Sequence, residues 1–255
     1  MTVTYSDRLL NDFATRCFRD MADRDYVNAR LAFRARLIPQ FLWSSLHCLE
    51  KYAKCILLLN RIPAKNIKHE ALRALELVGS KGKFSIEPSS ETKEFITRLE
   101  HGARFRYFEV SYYSLGYDVI HLDRAVWEIR RYAQSIDYSI GPEGAEIGML
   151  TRELSRLRNE LELKSKDTCI QYGWLEDVIN NSSHPAREPL IWQNLYFGTS
   201  RRKKIRISGY SESGNAPLYL HPEILELIQD YIFLPKELIS AFGEHLKNLK
   251  EGSAR

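Results

Sequence analysis

The run from Phe41 to Asn60, Phe-Leu-Trp-Ser-Ser-Leu-His-Cys-Leu-Glu-Lys-Tyr-Ala-Lys-Cys-Ile-Leu-Leu-Leu-Asn, constrains this chain more than any other segment. Leu42, Leu46, Leu49, Ala53, Ile56 and Leu57 recur at the three-four spacing of one helix face. Pro39 falls where a first helical turn tolerates proline, and Asn60 with Pro63 ends the pattern. Glu50 and Lys54 lie four apart in the favourable order, worth roughly 0.2–0.5 kcal/mol. The spacing predicts an amphipathic helix.

Most of the remaining chain repeats that period. Residues 6–35 carry an apolar stripe of Leu9, Leu10, Phe13, Ala14, Cys17, Phe18 and Met21, continued by Tyr26, Ala29, Leu31, Phe33 and Leu37, with a kink expected near Asp23. Shorter helices are predicted over 69–78, from a Ser89 or Ser90 cap to about His101, over 118–136, over 147–165 and over 174–179. Asn180-Asn181-Ser182-Ser183-His184-Pro185 reads as a loop, and the composition shifts after it. Two proline-led helices, 222–233 and 235–249, close the chain. Ile205-Arg206-Ile207 alternates as one strand of a small hairpin would. The pattern predicts an all-α protein with two parts, a helical bundle over 6–179 and a C-terminal extension over 180–255 packed on it.

With 255 residues and 44% apolar content, a sizeable core is available and wholesale disorder is excluded. The net charge of +4 permits nucleic-acid binding without arguing strongly for it. Cys17, Cys48, Cys55 and Cys169 form no C-x-x-C pair, which excludes a zinc ribbon or dithiol redox motif and fits free thiols in a reducing compartment. The first residues contain no apolar signal core, and the longest apolar run is too short to span a bilayer. A soluble cytoplasmic protein is expected, with no membrane contact.

The pairing of Glu50-Lys51 with the following His69-Glu70-Ala71-Leu72-Arg73-Ala74-Leu75 turn resembles the HEPN family, small helical bundles found in prokaryotic RNases, toxins and nucleotide-binding accessory domains. The resemblance implies a HEPN-like bundle, a homodimer, RNA, a nucleotide or a protein as partner, no cofactor and no metal, and a phage-defence or toxin–antitoxin setting. HEPN ribonucleases carry an arginine and a histidine separated by four to six intervening residues. The histidine moves a proton at the ribose hydroxyl or leaving oxygen, and the arginine steadies the phosphate. None of the seven histidines here has an arginine at that spacing upstream. Arg158-Asn159 matches the first half of the motif only, because Leu163, Lys164 and Ser165 stand where the histidine would fall. The expectation is therefore a non-catalytic binding module. The alternative is a metal-independent endoribonuclease with a diverged site, built from Arg158, Asn159 and Arg130 or Arg131 with a histidine from elsewhere.

Three clusters are candidates for phosphate or nucleic acid. Arg130-Arg131 is flanked by Trp127 and Tyr132, a set suited to a phosphate and a stacked base or, equally, to a helix with a buried tryptophan and paired arginines. Arg201-Arg202-Lys203-Lys204 with Arg206 is the densest cationic run, either a phosphate site or a solvated loop. Arg104, Arg106, Tyr107, Tyr112, Tyr113 and Tyr117 interleave aromatics with arginine as single-strand binders do, and as core borders also do. His69 reads as a bridge to a neighbouring helix. No P-loop, dinucleotide fingerprint, H-E-x-x-H or G-x-S-x-G is present.

Overall fold

The computed structural model describes residues 4–102, 111–142, 144–163, 173–198, 204–206 and 209–252. The Phe41–Asn60 run is helix α3, Ile38–Leu59. Its predicted stripe is buried, but so are Ser44, Ser45, Cys48, Glu50, Tyr52 and Cys55. The expected one-sided helix is the central one, enclosed on most of its circumference. It packs against α2 (Asp20–Arg34), α4 (Ala71–Lys81), α5 (Ser90–Gly102) and α6 (Asp118–Arg130). Buried hydroxyls along it find partners; the Ser45 hydroxyl donates to the Phe41 carbonyl at 2.7 Å.

The first helical segment runs from α1 (Tyr5–Phe13) into α2 through one wide turn, Ala14–Arg19, in π geometry. That irregularity replaces the kink expected near Asp23, which sits instead in regular helix with its carboxylate fully buried. The apolar stripe of α1 faces solvent: Leu9 is 52% and Phe13 51% exposed, and α1 buries none of its residues. Periodicity identified the apolar face and not what covers it.

Helices α2 and α3 end alike. After cap residue Ala35, Arg36 adopts φ 60°, and the Leu37 amide donates to the Ala32 carbonyl at 2.9 Å. After Asn60, Arg61 adopts φ 59°, and the Ile62 amide donates to the Leu57 carbonyl at 2.8 Å. Both are Schellman closures with arginine where glycine is usual. Helix α4 begins two residues later than predicted and runs through Gly79 to Lys81. Helix α5 is capped as expected: the Ser89 hydroxyl accepts the Thr92 amide at 3.3 Å. Helix α6 stops at Arg130, short of the predicted 136.

Strand β1 (Tyr112–Leu115) pairs antiparallel with β4 (Ser211–Gly214), Tyr112 opposite Gly214. Of the segment predicted as one strand of a small hairpin, 205–207, residues 205 and 206 are irregular and Ile207 lies outside the described residues; the strand that follows, 211–214, pairs with the distant β1. Gly214 is required by the pairing, since a Cβ there would meet the Tyr112 ring at 2.6 Å. A short pair, β2 (Ser139–Ile140) with β3 (Ile147–Gly148), leads into α7 (Leu150–Leu163).

The main core continues past the predicted boundary at 180. Leu175, Val178 and Ile179 of α8 (Trp174–Asn180), Leu190 of α9 (Arg187–Ile191) and Phe197 all belong to it. A second small core gathers Ala216, Leu218, Leu225, Leu234, Leu238 and Phe242 from α10 (Pro217–Leu220), α11 (Leu225–Gln229) and α12 (Lys236–Gly252). The composition change at Asn180 marks a loop; the seam between cores falls after Phe197. The whole is mainly helical, 63% helix and 6% strand, and no described helix is long and apolar enough to cross a membrane.

Candidate nucleic-acid interface

Of the cationic residues singled out in the sequence, Arg130 and Arg131 are buried. Arg130 makes two bonds to the Asp23 carboxylate, at 2.7 and 2.9 Å, and two to Glu176, at 2.7 and 2.8 Å. The Tyr52 hydroxyl donates to the same Asp23 at 2.6 Å. Burial opposes the charged guanidinium, yet Asp23 and Glu176 outweigh it and hold its pKa well above the ordinary value. Arg131 donates to the Trp127 carbonyl at 2.8 Å and the Leu157 carbonyl at 3.2 Å, and its guanidinium lies 4.6 Å from the Trp127 ring centre. The expected phosphate site at Arg130 and Arg131 is therefore corrected to a structural clamp: both heads are spent on protein acceptors in the interior.

Arg30, fully buried one helical turn before the end of α2, makes a second such clamp. It pairs with Asp123 of α6 and donates to the Pro189 carbonyl at 3.0 Å and to the Trp192 carbonyl. The Tyr26 hydroxyl joins Asp123 at 2.6 Å, and the Asn194 amide donates to that hydroxyl at 2.8 Å. This network fixes the chain after α9 against the C-terminal end of α2. There the two segments frame a cleft of about 220 Å³.

The cleft is lined by Arg34, Arg36, Trp192, Gln193, Arg206 and Tyr210, with apolar residues of α6 beneath. The Arg36 guanidinium lies 3.5 Å from the Tyr210 ring centre, and that of Arg34 lies 5.0 Å from the Trp192 ring centre. Both distances are within cation–π range. Arg34 also pairs with Glu188 at the rim, whereas among the described residues Arg36 and Arg206 pair with no carboxylate. Burial first, with Glu212 adding to it and Arg36 opposing it, pushes the Tyr210 hydroxyl above its usual pKa, so the ring is neutral near pH 7. Arg36 and Gln193, on facing segments, both have positive φ (60° and 46°). Non-glycine residues in that region cost on the order of 1–3 kcal/mol and gather at ligand sites.

One predicted site residue, Arg206, lies in this cleft, and Lys204 is exposed beside it in the chain. Arg201, Arg202 and Lys203 lie outside the described residues, as do Arg104, Arg106 and Tyr107. Arg158 is exposed on α7, with Asn159 following it in the helix. Tyr112 and Tyr113 form part of β1, where the Arg98 guanidinium lies 5.0 Å from the Tyr113 ring centre, and Tyr117 immediately precedes α6. Sequence reading missed Arg34, Arg36, Trp192 and Tyr210. The signal available was an Arg-x-Arg at the end of an apolar period; its aromatic partners lie far along the chain.

The residues that carried the family resemblance also meet. His69, preceding α4, contacts the Glu50 carboxylate through Nδ1 at 3.0 Å, and Lys54 pairs with the other oxygen. His47 stands one turn before Glu50. These three bring metal-capable donors together, the Glu50 carboxylate buried and both imidazoles half-buried.

Comparison of the chain with known protein families, with curated proteins and with solved structures finds no match in any of the three.

Proposed function

We propose that the protein is a HEPN-like, non-catalytic module that binds single-stranded RNA, taking one nucleotide unit into the cleft between the end of α2 and the segment after α9. The observation carrying this reading is the pairing of two guanidinium planes with two aromatic rings, Arg36 on Tyr210 and Arg34 on Trp192, beside Arg206. Unpaired bases stack on such planes, and the arginines neutralise the flanking phosphates. A cleft of 220 Å³ is smaller than the roughly 300–1,000 Å³ of a drug-sized pocket, which suits a single nucleotide of a longer strand. The HEPN-like part of the reading is supported by the helical bundle and by the contact between Glu50 and His69.

The endoribonuclease alternative draws in part on Arg130 and Arg131, and both are enclosed and held by protein acceptors. Binding is tested by fluorescence anisotropy with short labelled single-stranded RNA. Arg36→Ala, Arg206→Ala and Trp192→Ala should each weaken binding, at about 1–3 kcal/mol for loss of a stacking plane. Unchanged affinity in all three would remove the cleft from the account. RNA should survive incubation with the protein in EDTA; cleavage that Arg158→Ala abolishes would overturn the non-catalytic part.

A further inference from the structure

We propose that His47, Glu50 and His69 form a binding site for one divalent transition-metal ion of the zinc class, separate from the RNA cleft. His47 and Glu50 lie three apart on α3, so their side chains share a face. His69 reaches that face from the turn leading into α4. One donor atom from each of the three lies within 4.8 Å of the others. Two imidazole nitrogens and one carboxylate oxygen match the three-ligand sets that hold zinc with a coordination position left open.

The surroundings orient the donors. Glu50 is the buried anchor, its side chain 9% exposed, with Lys54 bound to one oxygen and the other turned to His69. Such support from a neighbouring polar group fixes a ligand and tunes the metal. The indole of Trp43 lies against His47, ring centres 4.0 Å apart, and limits that ring's rotation. The imidazoles of His47 and His69 are parallel within 4°, with ring centres 6.1 Å apart, so both rings present an edge to the same side of the Glu50 carboxylate's neighbourhood only after small rotations. Tetrahedral bonds of roughly 2.0–2.1 Å put donor atoms about 3.4 Å apart, so the widest pair in the set must close by up to about 1.4 Å. His69, with 43% of its side chain exposed, is free to make that adjustment.

A hydrogen bond between His69 and Glu50 accounts for those two residues by itself, but it gives no role to His47 at the same spot. The nearby lysines oppose a cation only partly, because Lys51 is paired with Asp25 and Lys54 with Glu50.

The test is titration of the chelator-stripped full chain with Zn²⁺ against a chromophoric competitor, with Co²⁺ as a spectroscopic substitute. The expected result is one equivalent of Zn²⁺ bound, visible absorption from bound Co²⁺, and at least a tenfold loss of affinity in His47→Ala and in His69→Ala. Both residues are partly exposed, so these variants keep their fold, which circular dichroism checks. Glu50→Gln should lose binding as well, and Lys54→Met should keep it. Stoichiometric binding that persists in the His47→Ala/His69→Ala double variant would overturn the proposal, as would wild-type binding no tighter than that variant's. No RNA is present, so the outcome is independent of the cleft.

Discussion

Two arginines, Arg36 and Arg61, occupy the left-handed position that closes a helix, where an L-residue is disfavoured by roughly 1–2 kcal/mol relative to glycine. Arg61 has a structural return: it donates to the Asp7 carboxylate at 3.1 and 3.0 Å and to Asn11 at 2.9 Å, tying α1 to the end of α3. Arg36 makes no ion pair among the described residues and lies over Tyr210 in the cleft. Arg36→Gly should therefore leave stability unchanged or raise it by up to about 1 kcal/mol while weakening RNA binding, whereas Arg61→Gly should lower stability and leave binding intact; denaturant unfolding with anisotropy separates them. Neither arginine announces its conformation in sequence, because glycine is the readable signal for that position. The cysteines were more legible. Cys48 and Cys55 are buried free thiols, and burial pushes that of Cys55 up to about 12, while Cys17 is exposed. At pH 8 a thiol reagent should modify Cys17 in the native protein and reach Cys48 and Cys55 only on unfolding, as mass spectrometry of labelled peptides would show.

Between elements, two buried arginine clamps set the geometry. Arg130 joins α6 to α2 and α8, and Arg30 joins α2 to α6, to α9 through Pro189 and to Trp192 just after it. Removing one partner leaves a buried charge, so Asp123→Ala should cost about 3–5 kcal/mol in urea unfolding. The matched pair Arg30→Met/Asp123→Leu should cost clearly less, since it removes both charges together. A double variant as unstable as Asp123→Ala would show that packing, not charge, is the sensitive part. On α6, His121 lies 6.0 Å from the Phe95 ring and 5.2 Å from that of Tyr117, and burial lowers its pKa below 6.5. A native pKa below the unfolded one means the unfolded chain takes up the proton first. Stability should thus decline as pH falls below 6.5, less steeply in His121→Gln, and the NMR midpoint of His121 should lie under 6.5. Helices α3, α5 and α7 were readable because three-four periodicity and caps are local. The clamps were not: Arg130 is followed by Arg131 and flanked by aromatics, a pattern that a surface site and an interior ion pair share, and Asp23 and Glu176 lie 107 and 46 positions away.

At the scale of the molecule, the mainly helical class follows from apolar period over most of the chain, and the structure bears it out. The division into parts was less legible, since among the described residues the main core extends to Phe197 and a second core gathers within the 216–242 segment. The cleft could not be read at all from spacing, because it joins the end of α2 to Trp192, Arg206 and Tyr210, more than 150 positions further along. A net charge of +4 over 255 residues gives little general attraction for nucleic acid. Binding should then depend on the few arginines of the cleft, and its salt dependence reports how many are used. Anisotropy titration of single-stranded RNA across a range of salt concentrations, for the wild type and for Arg36→Ala/Arg206→Ala, tests this most directly. With three phosphates neutralised, log affinity against log salt should fall with a slope of about −2, and the double variant should bind more weakly with a slope of about −0.7. Equal affinity and slope in the two proteins, with the fold intact, would contradict the account.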